Sequence, residues 1–242
     1  MIGVILAAGM AKRLRPLTDH CPKCLLEIGG RTLLQRAFDA MIAAGIRQFV
    51  VVTGFHAEMI RDFLDTQYPE LDITFLHNAD YPNNNNIYSL WMSGQVVRGR
   101  EFLLLDSDIL FDPEILKVIL AQEGSALALN RHPLGEEEMK VVVDDDNQIT
   151  EISKTCSIDK AIGESMGIEK FSEGYSTALF ELLDQMIIKE HLIDIFYERA
   201  FERLIPEHHT FKVIDTTDYF SIELDTVEDF THAKDVIPSW LF

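Results

Sequence analysis

Apolar positions along this chain follow two rhythms. Nearly unbroken apolar runs at Ile2 to Leu6, Ile46 to Thr53 and Phe102 to Leu105 read as buried strands, and Leu71 to His77 supplies a further strand; a strand covered on both faces needs no polar alternation. Between them the spacing is helical. Thr32 to Ala44 carries Leu34, Phe38 and Met41 with Ala37 between, opens on a capping box of Thr32 and Gln35, and stops at Gly45. His56 to Asp65 is a second helix, and a third begins near Ile87. Alternating strand and helix predict an α/β fold with a parallel sheet covered on both faces, where ligands bind at the carboxyl ends of strands.

The second half is built from shorter pieces. Asp112 reads as the N-cap of a helix starting at Pro113. Ser125 to Asn130, Met139 to Asp144 and Gln148 to Ser153 are predicted strands, the last two a hairpin turning at Asp144 to Asn147. Ser176 to His191 and Ile193 to Leu204 are predicted amphipathic helices, with Leu179, Leu183 and Ile187 facing inward. Phe211 to Ile214 and Phe220 to Leu224 are late strands, and Thr226 caps a last helix. No repeat and no Gly-, Pro- or Ser-rich linker divides the chain. It is expected to be a single domain, 1–242, with a first half (1–122) and a second half (123–242) of different roles.

Composition narrows the function. The 47% hydrophobic content supplies a core, and a formal net charge of −19 argues against a nucleic-acid binder, which needs clustered cations. No apolar stretch is long enough to span a membrane and no cationic leader precedes the first strand, so a cytoplasmic protein is expected. Three cysteines, Cys21, Cys24 and Cys156, do not make a disulfide framework. Cys21-Pro-Lys-Cys24 has the spacing of a redox dithiol or half a zinc site. However, no second ligand pair follows, and the motif leads into the β-like Leu25 to Ile28 rather than opening a helix. The acidic turn at Asp144 lacks the glycine and ligand spacing of an EF-hand.

Against this acidic background the stretch after the first strand reverses sign. Leu6, Ala7, Ala8, Gly9, Met10 and Ala11 give a loop of mostly small side chains, followed by Lys12, Arg13 and Arg15 before the first acid, Asp19. Exposed main-chain N–H groups beside cations read as a polyphosphate cradle. The run Leu-Ala-Ala-Gly at 6–9, Ala-Lys-Arg at 11–13, Pro-Leu-Thr at 16–18 and Pro22-Lys23 resembles the opening of the nucleotidylyltransferases. These join a nucleoside triphosphate to a sugar phosphate or amino-alcohol phosphate. Ala11 stands where that family usually has a second glycine. The resemblance implies a Rossmann-like three-layer sandwich with a mostly parallel central sheet and an acceptor-binding subregion of extra strands and helices. It assigns catalytic roles to Lys23 and Arg13.

Other segments extend the resemblance. Four consecutive asparagines, Asn83 to Asn86, follow the third strand. One or two of them read as surface turn, but the amide group carries the donor and acceptor that base-edge recognition requires. Asn85, Asn86, Ser89 and Leu90 match the form found in cytidylyltransferases for phosphocholine and related compounds, which makes the first three nucleotide-binding. Asp106-Ser-Asp108 ends a strand and suits a divalent cation or a capped turn. The family favours Asp108 as metal ligand, with Asp106 second in that role and otherwise expected beside the nucleotide. Ser221 to Phe230 resembles the family's closing acidic motif, which aligns Glu223 with a second metal ligand and puts Asp225 next to it as the alternative metal ligand.

Acceptor recognition is expected in the second half. Gly167 lies where family members line the acceptor pocket. Glu164 is either a solvated charge or a ligand for a cationic acceptor. Asp194, Tyr175 and Tyr197 add acid and aromatic character, and ring faces hold quaternary ammonium groups. The implied reaction is Mg²⁺-dependent transfer of CMP from CTP to a phosphorylated or phosphonylated amino alcohol, with phosphocholine and 2-aminoethylphosphonate the leading acceptors and pyrophosphate leaving. The rival acceptors are hexose or inositol 1-phosphates, and a non-catalytic nucleotide-sensing subunit is the rival of another class. An NAD-linked oxidoreductase lacks its G-x-G-x-x-G. The sequence leaves monomer and homodimer open.

Overall fold

In the computed structural model, which describes residues 1–242, the first apolar run becomes β1, Ile2–Ala7, inside a nine-stranded sheet. A short antiparallel ribbon, β2 (Glu27–Ile28) and β3 (Arg31–Thr32), precedes α1 (Leu33–Ala43). Then come β4 (Gln48–Thr53), α2 (Ala57–Gln67), β5 (Asp72–His77), α3 (Asn86–Val97), β6 (Phe102–Asp106), β7 (Ile109–Phe111) and α4 (Glu114–Leu120). The second half supplies β8 (Ala126–Asn130), β9 (Lys140–Val143), β10 (Ile149–Ser153), β11 (Gly163–Phe171), α5 (Glu173–Asp184), α6 (Glu198–Leu204), β12 (Lys212–Asp215), β13 (Ser221–Glu223) and α7 (Val227–Val236).

The parallel core has the order β6-β1-β4-β5, with Val4 facing Val50 on one side and Leu104 on the other. β11 joins it antiparallel against β6, so strands from both halves of the chain share one sheet. Beyond β11 lie the β9–β10 hairpin and the parallel pair β8–β12. Strand periodicity sorts β1 between two cores. Ile2, Val4 and Leu6 pack with α3, α5 and α6, whereas Ile5 and Ala7 pack with α1, α2 and α4. Burial of one such aliphatic side chain contributes ~1.5–3 kcal/mol. No helix is long and apolar enough to cross a membrane.

Caps follow the sequence closely. Thr32 accepts from the Gln35 N–H, Asp112 from the Glu114 N–H, and Thr226 with Asp229 forms a full capping box. Two boundaries differ from expectation. The helix predicted from Ser176 begins at Glu173 on a Ser172 cap and runs into a π turn, Gln185–Lys189. The helix predicted from Ile193 starts only at Glu198. The intervening backbone is tied elsewhere: the Asn85 N–H donates to the Ile193 carbonyl, and the Asn86 side-chain oxygen accepts from the Tyr197 N–H. Leu25, expected in a strand, closes a 3₁₀ turn with Lys23 and Cys24.

A third, smaller core positions the site. β7 and β13 pair antiparallel, Ile109 opposite Glu223, and Leu110, Leu224, Phe230 and Leu14 bury together beneath them. This ribbon joins the end of β6 to the closing acidic segment across more than a hundred residues of chain.

Candidate active site

A cleft of about 950 Å³ runs along the carboxyl ends of β1 and β6. Its near wall is the loop after β1. The Ala8 carbonyl accepts from the Phe55 N–H at 3.1 Å, and Gly54 permits this approach, since a Cβ there would meet the Ala8 oxygen at 2.6 Å. Ala11 takes the left-handed conformation (φ 44°, ψ 52°) that glycine would adopt freely. Its carbonyl accepts from Thr18 Oγ1 at 2.9 Å and from the Leu14 N–H at 3.0 Å, which holds the alanine there. Leu6, Ala7, Ala8, Gly9, Ala11 and Arg13 all border the cleft, whereas the half-buried Met10 does not.

Lys23 reaches into the cleft from its 3₁₀ turn. Its ammonium donates to Asp108 Oδ2 and to Asp225 Oδ1, both at 2.8 Å, and Arg13 donates to the other oxygen of Asp225. Burial alone would lower the Lys23 pKa, but the two carboxylates outweigh it and hold it up at about 12. Burial raises Asp225 in turn, and Lys23 and Arg13 reverse that and hold it below the usual carboxylate range. The β7–β13 ribbon brings these groups together: the Leu224 N–H donates to the Asp108 carbonyl at 3.1 Å. Glu223 completes the set. Burial, then Asp108 and Asp225, push it up to about 8.

Asp108, Glu223 and Asp225 place one oxygen each within 4.8 Å of one another. Asp108 Oδ1 is buried with no hydrogen-bond partner. An all-carboxylate donor set with an orphaned oxygen fits a hard divalent cation. Asp106 stands apart from this set. It accepts from the Tyr197 hydroxyl at 3.1 Å and is pushed well up by burial, then by Asp108 and Glu169. Cys24 is packed in the core, and burial drives its thiol far above the usual range, opposite to a redox nucleophile.

The asparagine loop forms the second wall. Asn78 and Asn84 exchange side-chain amide hydrogen bonds at 2.8 and 3.1 Å, and Asn78 also donates to Ser89 Oγ. Asn85 Oδ1 accepts from the Asn86 N–H, and Asn86 Oδ1 fastens Tyr197. Asn85, Asn86 and Ser89 therefore border the cleft while their oxygens hold the loop together. Asn83 bonds Asp80 and lies off the cleft. Asn78 was missed because a lone asparagine after a strand carries no spacing signal.

At the far end the sequence expectations divide. Glu164 borders the cleft and meets His132 Nε2 at 2.8 Å; burial raises its carboxyl and His132 partly offsets this. Gly167 also borders it, at φ +63°, where a Cβ would lie 2.7 Å from Asp106 Oδ2. Tyr175 and Tyr197 do not border it. Tyr175 packs among Phe171, Phe201 and Phe211, and Tyr197 is fully buried against Phe201, because aromatic area is worth more in the core than at a polar mouth. Asp194 is exposed outside the cleft, on the connection that replaced the predicted helix start. Glu198, Lys154 and Phe196 line this end without having been singled out from sequence.

This arrangement joins a main-chain loop, two cations and three convergent carboxylates in one cleft. The Nucleotidyl transferase family model matches residues 2–150, well over half of the chain. The chain belongs to the nucleotidyl transferase family. A bifunctional IPC transferase and DIPP synthase of Aquifex aeolicus is 30% identical over 239 residues, 96% of this chain and 50% of that protein. A 2-aminoethylphosphonate cytidylyltransferase of Lancefieldella rimae is 28% identical over 46% of this chain and 44% of its own length. The matched regions thus cover about half the length of each of these curated relatives. Among solved structures, CTP:phosphocholine cytidylyltransferase of Streptococcus pneumoniae superposes with a TM-score of 0.79 at 19% identity, covering 98% of this chain and 99% of that one. The mostly parallel sheet flanked by helices is the fold shared with it.

Proposed function

We propose that this chain transfers CMP from CTP to a small phosphorylated or phosphonylated amino alcohol with Mg²⁺, releasing pyrophosphate. The observation that carries the reading is Lys23, fixed between Asp108 and Asp225 at the mouth of the small-residue loop. In this reading residues 1–122 hold the nucleotide and 123–242 the acceptor. Main-chain N–H groups of Ala8 to Ala11, with Arg13, hold the β- and γ-phosphates. An acceptor oxygen attacks the α-phosphorus while the bond to the β-phosphate oxygen breaks and its electron pair leaves with pyrophosphate. Lys23 lies between the α-phosphate and the incoming oxyanion, so positioning and charge neutralisation lower the barrier without a covalent intermediate. Asp108, Glu223 and Asp225 would hold Mg²⁺, which would supply further neutralisation of the triphosphate.

Asn85 and Asn86 keep side-chain N–H groups that have no partner within the loop, which supports their facing a base. The acidic far end, Glu164 and Glu198, supports a cationic acceptor over a polyol. A second reading, a hexose or inositol phosphate as acceptor, draws on the Aquifex relative, which is not named for an amino alcohol. A nucleotide-sensing role without turnover is disfavoured because Lys23 and all three carboxylates are in place. Pyrophosphate release, measured with four nucleoside triphosphates against a panel of amino-alcohol phosphates, phosphonates and sugar 1-phosphates, tests the reading. CTP with an amino acceptor should dominate, and faster turnover with UTP or dTTP, or with glucose or inositol 1-phosphate, would overturn it.

A further inference from the structure

Glu198 opens α6 on the wall of the acceptor end and is only 7% exposed. Its Oε2 has no hydrogen-bond partner. Such a group is costly to bury, so its persistence on a cavity wall calls for a donor that arrives from outside. Apart from its own backbone N–H, which the carboxyl already meets, the surrounding groups supply none. Glu169, fully buried behind it, is another carboxylate and also has an orphaned Oε2. The Tyr197 hydroxyl is committed to Asp106. Lys154 is the cation whose charge reaches Glu198, but its ammonium lies over the Phe196 ring, 4.7 Å from the centroid, and pairs with Glu137 at 3.4 Å.

Ring faces are equally scarce. A quaternary ammonium carries no N–H and is held by aromatic faces, yet Tyr175 and Tyr197 are packed in the core. The aromatic rings bordering the cleft are Tyr81 and Phe196, the latter facing Lys154. A primary ammonium, by contrast, brings three donors. We infer that Glu198 determines acceptor specificity, and that the acceptor is a small phosphate or phosphonate whose ammonium bears N–H bonds rather than one that is fully methylated. This rests on the amino-acceptor reading above and deepens it.

The test is a methylation series on one scaffold: phosphoethanolamine, its N-methyl and N,N-dimethyl forms, and phosphocholine, each with CTP and Mg²⁺. In the unaltered protein kcat/KM should fall at least tenfold from primary to trimethyl. Glu198→Gln should raise KM for phosphoethanolamine at least tenfold with kcat changed less than threefold, and should bring the ratio of the two end members near one. Glu198→Asp, which keeps the charge, should retain the preference. Phosphocholine used as well as or better than phosphoethanolamine, or a preference undiminished in Glu198→Gln, overturns the inference and leaves the amino-acceptor reading standing. Turnover of sugar 1-phosphates with none of the four amines would sink both.

Discussion

Glu198→Gln should also make the protein more stable, and more so at higher pH. Burial pushes the Glu198 carboxyl from its ordinary 4.5 up to about 7, against its own backbone N–H and the charge of Lys154. The unfolded chain releases this proton near pH 4.5 and the folded chain only near 7. Between those values the fold binds the extra proton, so stability falls as pH rises through the window and stays lowered above it. At 1.36 kcal/mol for each pH unit separating the two titrations, the full penalty is ~3 kcal/mol at pH 8. At pH 5.5 it is only ~1.4 kcal/mol. Glutamine carries no charge and escapes this penalty. The Glu198 charge also helps to raise Glu169 and Asp106, so its loss eases their ionisation and adds to the advantage of the variant in the same direction. For a chain of this size the difference of ~2 kcal/mol corresponds to ~4–8 °C in Tm. Thermal unfolding of the two proteins, followed by circular dichroism at pH 5.5 and 8.0 without ligands, reads it directly. The lower pH is chosen to stay clear of the sequence pI near 4.7. A variant whose advantage does not grow between the two pH values refutes the reasoning.

Lys23→Ala should lower turnover by on the order of 10² to 10³ while the protein remains folded, the usual loss for one transition-state charge partner; near-normal single-turnover rates would reassign Lys23 to structure. Asp108→Asn and Glu223→Gln should each raise the Mg²⁺ concentration for half-maximal activity about tenfold or more, in line with loss of a metal ligand, and unchanged magnesium titrations would misplace the site. Asp225→Asn should tighten CTP binding in calorimetry with chelator present, because Lys23 and Arg13 are released, and weaken it with Mg²⁺ present; equal affinity under both conditions contradicts the ion-pair reading. Gly167→Ala should cost ~1–3 kcal/mol, since the residue sits at positive φ against Asp106, and an unchanged Tm would show that the strand shifts without strain.

The sheet was legible because Ile2 to Leu6 and Phe102 to Leu105 are apolar without alternation, a pattern that only burial on both faces produces. Caps were legible because Thr32, Asp112 and Thr226 act on residues two or three positions away. The β7–β13 ribbon was not read as a pair, since each strand has three residues and the partners lie over a hundred positions apart. Tyr175 and Tyr197 were misread because an aromatic ring in an acidic neighbourhood can serve either core or ligand, and the choice depends on which way the helix turns. Glu198 gave no signal. A glutamate in the first turn of a helix is ordinarily solvated, and this one is buried by tertiary packing, with the Tyr197 backbone just before it tied to Asn86.

Under the proposed function, the charges of the site explain how so acidic a protein would accept two anionic substrates. Three carboxylates converge, and two cations answer them. Lys23 is paired to carboxylates 85 and 202 residues away in sequence, so its position depends on the fold being closed around it rather than on its own turn. A phosphate that takes over Lys23 or Arg13 must replace the hydrogen bonds those cations already make with Asp108 or Asp225. Ion pair is thus exchanged for ion pair, and the cations contribute more to orientation than to affinity. The carboxylates left behind then lack compensation, and Asp108 already has one oxygen with no partner. Transfer of Lys23 and Arg13 to phosphate is therefore favourable only when positive charge from another source satisfies Asp108, Glu223 and Asp225. Under the proposed function the geometry would thus make nucleotide and divalent cation interdependent ligands of one site, and would tie the position of Lys23 to their joint presence.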